Sequence, residues 1–185
     1  MSKRIGEVVS CFVLVITLGV NQVFAEYSES DRVLETRLDE LIEIVKINEF
    51  DGNASVIDKL QAVVQKGDQA TRAEAQLLLG RIYRDGLVGM GKNKNLSFIF
   101  FEHAAGTNGL NTEAQYELGR AYMNGEGTDR NLIAAYIWTE LSLNNNTILV
   151  QQAELQKKKL ASMLNAQQLA KAEELVTQLE ILYLQ

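Results

Sequence analysis

The 185 residues contain no proline, one cysteine (Cys11), one histidine (His103) and one tryptophan (Trp138). A chain without paired cysteines must be held by packing rather than disulfides, and metal sites built from Cys or His clusters are excluded by counting. His103 stands between Glu102 and Ala104 on a helical stretch. With no cysteine nucleophile beside it, it reads as a helix-surface or interhelical residue rather than a general base. In the absence of proline the punctuation is glycine and asparagine, which fits helices joined by short turns. No stretch alternates apolar and polar residues for long enough to form a strand, so no sheet is expected. The glycine-rich segments 86–91 and 125–127 lack the Gly-Lys-Ser/Thr ending and the strand context of a phosphate loop, and read as turns.

The first residues form a separate object. Lys3 and Arg4 precede an apolar run over residues 8–20, and Val23-Phe24-Ala25 offers a small-residue cleavage site before Glu26. This is the pattern of an export signal, with cleavage expected after Ala25. The run is too short for the ~20 residues that span a bilayer, so no integral membrane segment is expected after cleavage. Of the chain's 18 basic and 24 acidic residues the signal holds Lys3, Arg4 and Glu7. The mature remainder therefore has 16 against 23, a formal charge of −7. That balance makes a poor nucleic-acid surface, and Lys157-Lys158-Lys159 reads as a solvated helix face. Residues 26–185 amount to one domain.

The most informative stretch says nearly the same thing twice. Leu79-Gly80-Arg81-x-Tyr83-x-x-Gly86 returns as Leu118-Gly119-Arg120-x-Tyr122-x-x-Gly125, always 39 residues later. Lys94-Asn95-Leu96 is matched by Arg130-Asn131-Leu132 at 36, which places a three-residue slip in the loop after Gly86. Self-similarity at this period marks a stacked array, in which one unit cannot bury its apolar face alone. Each block reads as the first helix of a hairpin. Gly80 and Gly119 fall mid-helix, where glycine costs about 1 kcal/mol against alanine. That cost, incurred twice at one place, predicts a partner helix passing too close for a side chain. Gly86 and Gly125 supply left-handed caps. The second helices, N-capped by Asn93 or Asn95 and by Asp129 or Asn131, are apolar over most of their circumference and should be sandwiched between layers. Phe98, Phe100, Phe101, Tyr136 and Trp138 read as core.

These motifs resemble the Sel1-like repeat, a relative of the tetratricopeptide repeat, over residues 75–110 and 114–146. The first unit has an expanded loop and no counterpart of Trp138. The resemblance implies an all-α fold, an α-α superhelix of about eight helices in a right-handed arc. Residues 30–68, with helices over 30–50 and about 54–66, read as a degenerate N-terminal unit. Residues 148–184 read as a C-terminal capping helix pair, with Asn165 and Gln168 placed for a capping box.

In such an array the first helices line the inner curve, so Arg81, Arg84, Tyr116 and Arg120 are the candidate binding residues of a concave groove. An arginine there can grip a carboxylate or carbonyl in a forked manner; alternatively these side chains brace the scaffold through Glu74, Asp85, Glu113 or Glu117. Other carboxylates, such as Glu35, Asp39, Glu40, Glu43, Glu173 and Glu174, read as solvated faces rather than a glycosidase pair. No cofactor is expected. The expectation is an exported, periplasmic or secreted, non-enzymatic adaptor that takes a protein or peptide partner in the envelope or on a host. The resemblance also admits a cell-wall-directed enzyme or inhibitor, peptidoglycan hydrolase or β-lactam related, but the paired cysteines of the disulfide-bridged group are missing.

Overall fold

The computed structural model describes residues 53–107, 111–143 and 149–183. The expected export signal and the expected helix over residues 30–50 lie outside them. Among the described residues seven α-helices follow in order: α1 Asn53–Lys66, α2 Gln69–Asp85, α3 Lys94–Glu102, α4 Thr112–Asn124, α5 Leu132–Leu141, α6 Val150–Met163 and α7 Ala166–Tyr183. A π-helical turn, His103–Thr107, extends α3, and no strand occurs among the described residues. Neighbours in sequence pack on one another from α1 to α5. The expected closing pair is arranged differently: α6 and α7 both take α5, rather than each other, as their main support.

Local chemistry sets most of the boundaries. Asp68 accepts a hydrogen bond from the Thr71 amide at 2.7 Å, so α2 begins six residues before the repeated motif. That same bond holds the Asp68 carboxyl below the usual carboxylate range. Asn93, Asn111 and Asn131 cap α3, α4 and α5 in the same way. Gly86 and Gly125 end α2 and α4 at φ near +71° and +70°, the left-handed geometry expected of them. Asn165 and Gln168 form the reciprocal capping box, at 2.9 and 3.1 Å.

The caps also correct the repeat alignment. Asn93 and Asn131 share one backbone conformation, and their amides donate to the equivalent carbonyls of Tyr83 and Tyr122 at 2.8 and 3.0 Å. The true offset of the second helices is thus 38, not 36, and the first loop is longer by one residue rather than three. In this register Phe100, which stacks on Tyr83, occupies the position of Trp138.

Both mid-helix glycines sit where the two helices of their own hairpin touch. A Cβ on Gly80 would lie 2.5 Å from two ring carbons of Phe101, and one on Gly119 would lie 2.6 Å from the Thr139 hydroxyl and 3.0 Å from the Ala135 carbonyl. Phe101 and Thr139 are equivalent in the corrected register, yet they make different joints. The first is apolar, with Phe101 packed among Leu77, Ala104, Ala105, Ala114 and Leu118. The second is polar and buried: the Thr139 hydroxyl donates to the Ala135 carbonyl at 2.7 Å and accepts from the Gln156 amide of α6 at 2.8 Å.

The repeats meet through a third close contact. Gly127, in the loop of the second repeat, lies so near the Lys94 carbonyl at the start of α3 that a Cβ would approach it to 2.1 Å. Tyr122 also meets Phe98 edge-on at 5.2 Å. Not every residue of the second helices is sandwiched as expected, since Ile99 is 43% exposed.

Replacing Gly119 by valine is expected to cost about 1–3 kcal/mol, the overpacking penalty outweighing the small helix-propensity gain. A urea titration in which Gly119→Val unfolds at the wild-type midpoint would contradict the tight joint.

Candidate functional site

The repeat motif brings two arginines of α2 against the carboxylates of α4. Arg81 pairs with Glu113 and Arg84 with Glu117. Arg84 also grips its neighbour Asp85 with both ends of the guanidinium, at 2.8 and 2.6 Å, and lies 6.0 Å over the Phe101 ring. From α4 itself, Arg120 reaches Glu117 at 3.0 Å. Glu117 is the centre of this arrangement, its side chain only 8% exposed and shared between two guanidiniums.

The electrostatics follow from that geometry. Burial works against the charge of Arg84, but its hydrogen bonds to Asp85 and Glu117 raise its pKa still further above the usual range. The same guanidinium holds the Asp85 carboxyl below the usual carboxylate range. Glu74 behaves oppositely: burial pushes its pKa up, the nearby Glu113 adds to this, and a 3.1 Å hydrogen bond from the Asn111 amide opposes it only in part.

A recess of about 370 Å³ opens between the two repeats. Arg84 and Asp85 of α2 form one wall, and Glu117, Arg120 and Asn124 of α4 the other. Lys92 and Lys94, from the first loop and the start of α3, stand at the side, with Glu126. Two of the expected groove residues, Arg84 and Arg120, are therefore brought together here. Arg81 and Tyr116 are not on these walls; the Tyr116 carbonyl instead accepts a long, 3.5 Å hydrogen bond from Gln156. Each of the three arginines is paired with a carboxylate of the scaffold. Lys92, Lys94 and Asn124 were not singled out by the sequence. Their one signal was the lengthened first loop, which carries Lys92 beside the N-cap of α3.

His103 is exposed at the start of the π-helical turn. Lys157, read as part of a solvated face, instead pairs with Glu140 at 2.7 Å and ties α6 to α5. Among the described residues no group of three or more His, Cys, Asp or Glu side chains could hold a metal ion, and no helix is long and apolar enough to cross a membrane.

Comparison with known proteins settles the architecture. The family model described as "Sel1 repeat" matches residues 73–105 and 112–146. The chain carries two Sel1 repeats. Both matched units begin two residues earlier than the motif alone implied. Among solved structures, the fold is similar to that of a protective antigen of uropathogenic Escherichia coli displaying an SLR fold, with a TM-score of 0.68 at 22% identity. The match covers 80% of this chain but 30% of the antigen, so this Sel1-like chain spans about a third of that protein's length. No curated protein matches the sequence. In this Sel1-like protein the repeat positions Gly80, Tyr83, Gly86, Gly119, Tyr122, Gly125 and Trp138 are all buried or half-buried, and Trp138 packs on the core around Phe101.

Two outcomes follow from the pairing. Arg84→Ala strands the buried Glu117 with a single partner and is expected to cost about 2 kcal/mol. Arg81→Ala breaks a pair whose partners are 30% and 29% exposed, and should cost under about 1 kcal/mol. Equal losses in chemical denaturation would refute the distinction.

A group whose folded pKa is raised adds stability below its ordinary value and loses it as pH rises through the folded one. Glu74→Gln keeps an oxygen for Asn111 and removes the charge. Its melting temperature should therefore exceed wild type at pH 8, with the gain shrinking towards nil at pH 4; a gain independent of pH would contradict the assignment.

Proposed function

We propose that this Sel1-like protein is an exported, non-enzymatic adaptor that captures a protein or peptide partner in the bacterial envelope or on a host, along the opening between its two repeats. The observation that carries this reading is the recess of about 370 Å³, which falls within the size range of ligand sites, about 300–1,000 Å³. It is walled by three elements that the repeat motif positions rigidly. Stacked helical hairpins present such extended surfaces to partners.

The protonation states of the site favour binding over turnover. A general acid or base works best with a pKa near the operating pH. At the recess, Arg84 holds the Asp85 carboxyl below the usual carboxylate range. A carboxylate held in this way fixes a surface in place rather than moving protons. The basic, apolar and small-residue pattern over residues 1–25 supports export, with the periplasm or exterior as the destination.

Two measurements test the reading. Protein recovered from the periplasm of a bacterial host expressing the full chain should begin at Glu26; an intact Met1 terminus in the cytosol would overturn export. A photo-crosslinking residue in place of Asn124, at the recess, should give a discrete protein adduct that one in place of Ser162, exposed on α6, does not. Identical adduct patterns at both positions would remove the recess as the binding face.

A further inference from the structure

The arginines that the sequence offers as ligand-binding groups are already engaged, which shifts the question to the cations left over. Arg84 is satisfied by Asp85 and Glu117, and Arg120 is held to Glu117 through one guanidinium nitrogen at 3.0 Å, its Nε being buried out of reach of solvent. Lys94 is held only loosely, its ammonium 3.7 Å from Glu126 and its side chain 67% exposed. Lys92 is exposed and makes no ion pair among the described residues. The recess thus holds four cations against three carboxylates, a local surplus of positive charge on a chain whose net charge is −6. Its solvent-accessible donors are the two ammonium groups, with the Asn124 amide on the wall formed by α4.

We infer that this recess is the seat for side-chain carboxylates of a short acidic stretch in an extended peptide, received by Lys92 and Lys94 rather than by the motif arginines. This rests on the adaptor reading and names the chemistry of its partner. Each lysine is a compact point charge with rotatable donors, suited to a carboxylate arriving from solvent, whereas the arginine forks are fixed on partners of their own. The paired arginines play a supporting part, since by neutralising Glu117 and Asp85 they keep the walls from repelling an incoming anion. A nucleic acid fits poorly, because an acidic protein with two exposed lysines offers no track for a phosphate on every nucleotide.

The test uses the peptide acetyl-Ser-Glu-Glu-Ser-amide, its Gln-Gln counterpart and a thymidine tetranucleotide, titrated into the 15N-labelled mature chain at low salt. Saturable amide shifts confined to the surroundings of Lys92, Lys94 and Asn124 are expected from the Glu-Glu peptide by about 10 mM, with affinity falling as salt is raised. The Gln-Gln peptide should bind at least about tenfold more weakly, as should the Glu-Glu peptide to Lys92→Glu/Lys94→Glu. The control Lys158→Glu/Lys159→Glu, on the exposed face of α6, should leave binding unchanged. No saturable shift, equal loss in both double variants, or tighter binding of the oligonucleotide would each overturn the inference. The adaptor reading is judged separately: a discrete adduct at position 124 without peptide binding removes the acidic class alone.

Discussion

The repeat architecture depends on two mid-helix positions where a neighbouring helix leaves no room for a side chain. At Gly80 the space is filled by the Phe101 ring, and at Gly119 by the Thr139 hydroxyl and the end of Gln156. A helix tolerates an interior glycine only at a cost of about 1 kcal/mol, and here the cost is offset by a tight seat for the second helix of each hairpin. Because the seats fix how α3 lies on α2 and α5 on α4, they also fix the wall that Arg84 and Asp85 share with Glu117 and Arg120. The charged recess is a by-product of apolar and hydroxyl contacts beneath it.

The same motif position thus supports two kinds of joint. The first is an aromatic wedge in a cluster of leucine and alanine side chains. The second is a buried chain of hydrogen bonds linking the second repeat to the first capping helix, with the Ser142 hydroxyl donating to the Thr139 carbonyl at 2.6 Å. A buried hydroxyl is tolerated only where its partners are supplied, and Gln156 of α6 supplies one. The capping helix is therefore recognised by its polar group as well as by Ala153 and Leu160, which gives the end of the array a specific fit rather than a merely apolar one.

Much of this was legible in the residues. The repeated Leu-Gly-Arg-x-Tyr blocks, the glycine caps and the asparagine-glutamine capping box each depend on chemistry within a few positions, and all appear as read. What was misread depends on distant partners. Matching Lys94-Asn95-Leu96 to Arg130-Asn131-Leu132 followed letter similarity, whereas the chain aligns the capping asparagines and the amides they present to Tyr83 and Tyr122. The start of α2 was placed late because the repeated letters begin at Ala75, whereas the helix is capped by Asp68. The arginines were recognisable as neighbours of acidic residues, but not which carboxylate each would take, since Glu113 and Glu117 lie more than thirty residues from Arg81 and Arg84. Lys92 at the recess had no motif to announce it, and Lys94 was read only as a repeat position.

The seat of Gly127 on the Lys94 carbonyl has a further bearing on that opening. It joins main chain to main chain, so the distance from the first turn of α3 to the end of α4 does not vary with side-chain rotamers. On that side the width of the opening is therefore set by main-chain packing and not by the rotamers of the lysines beside it.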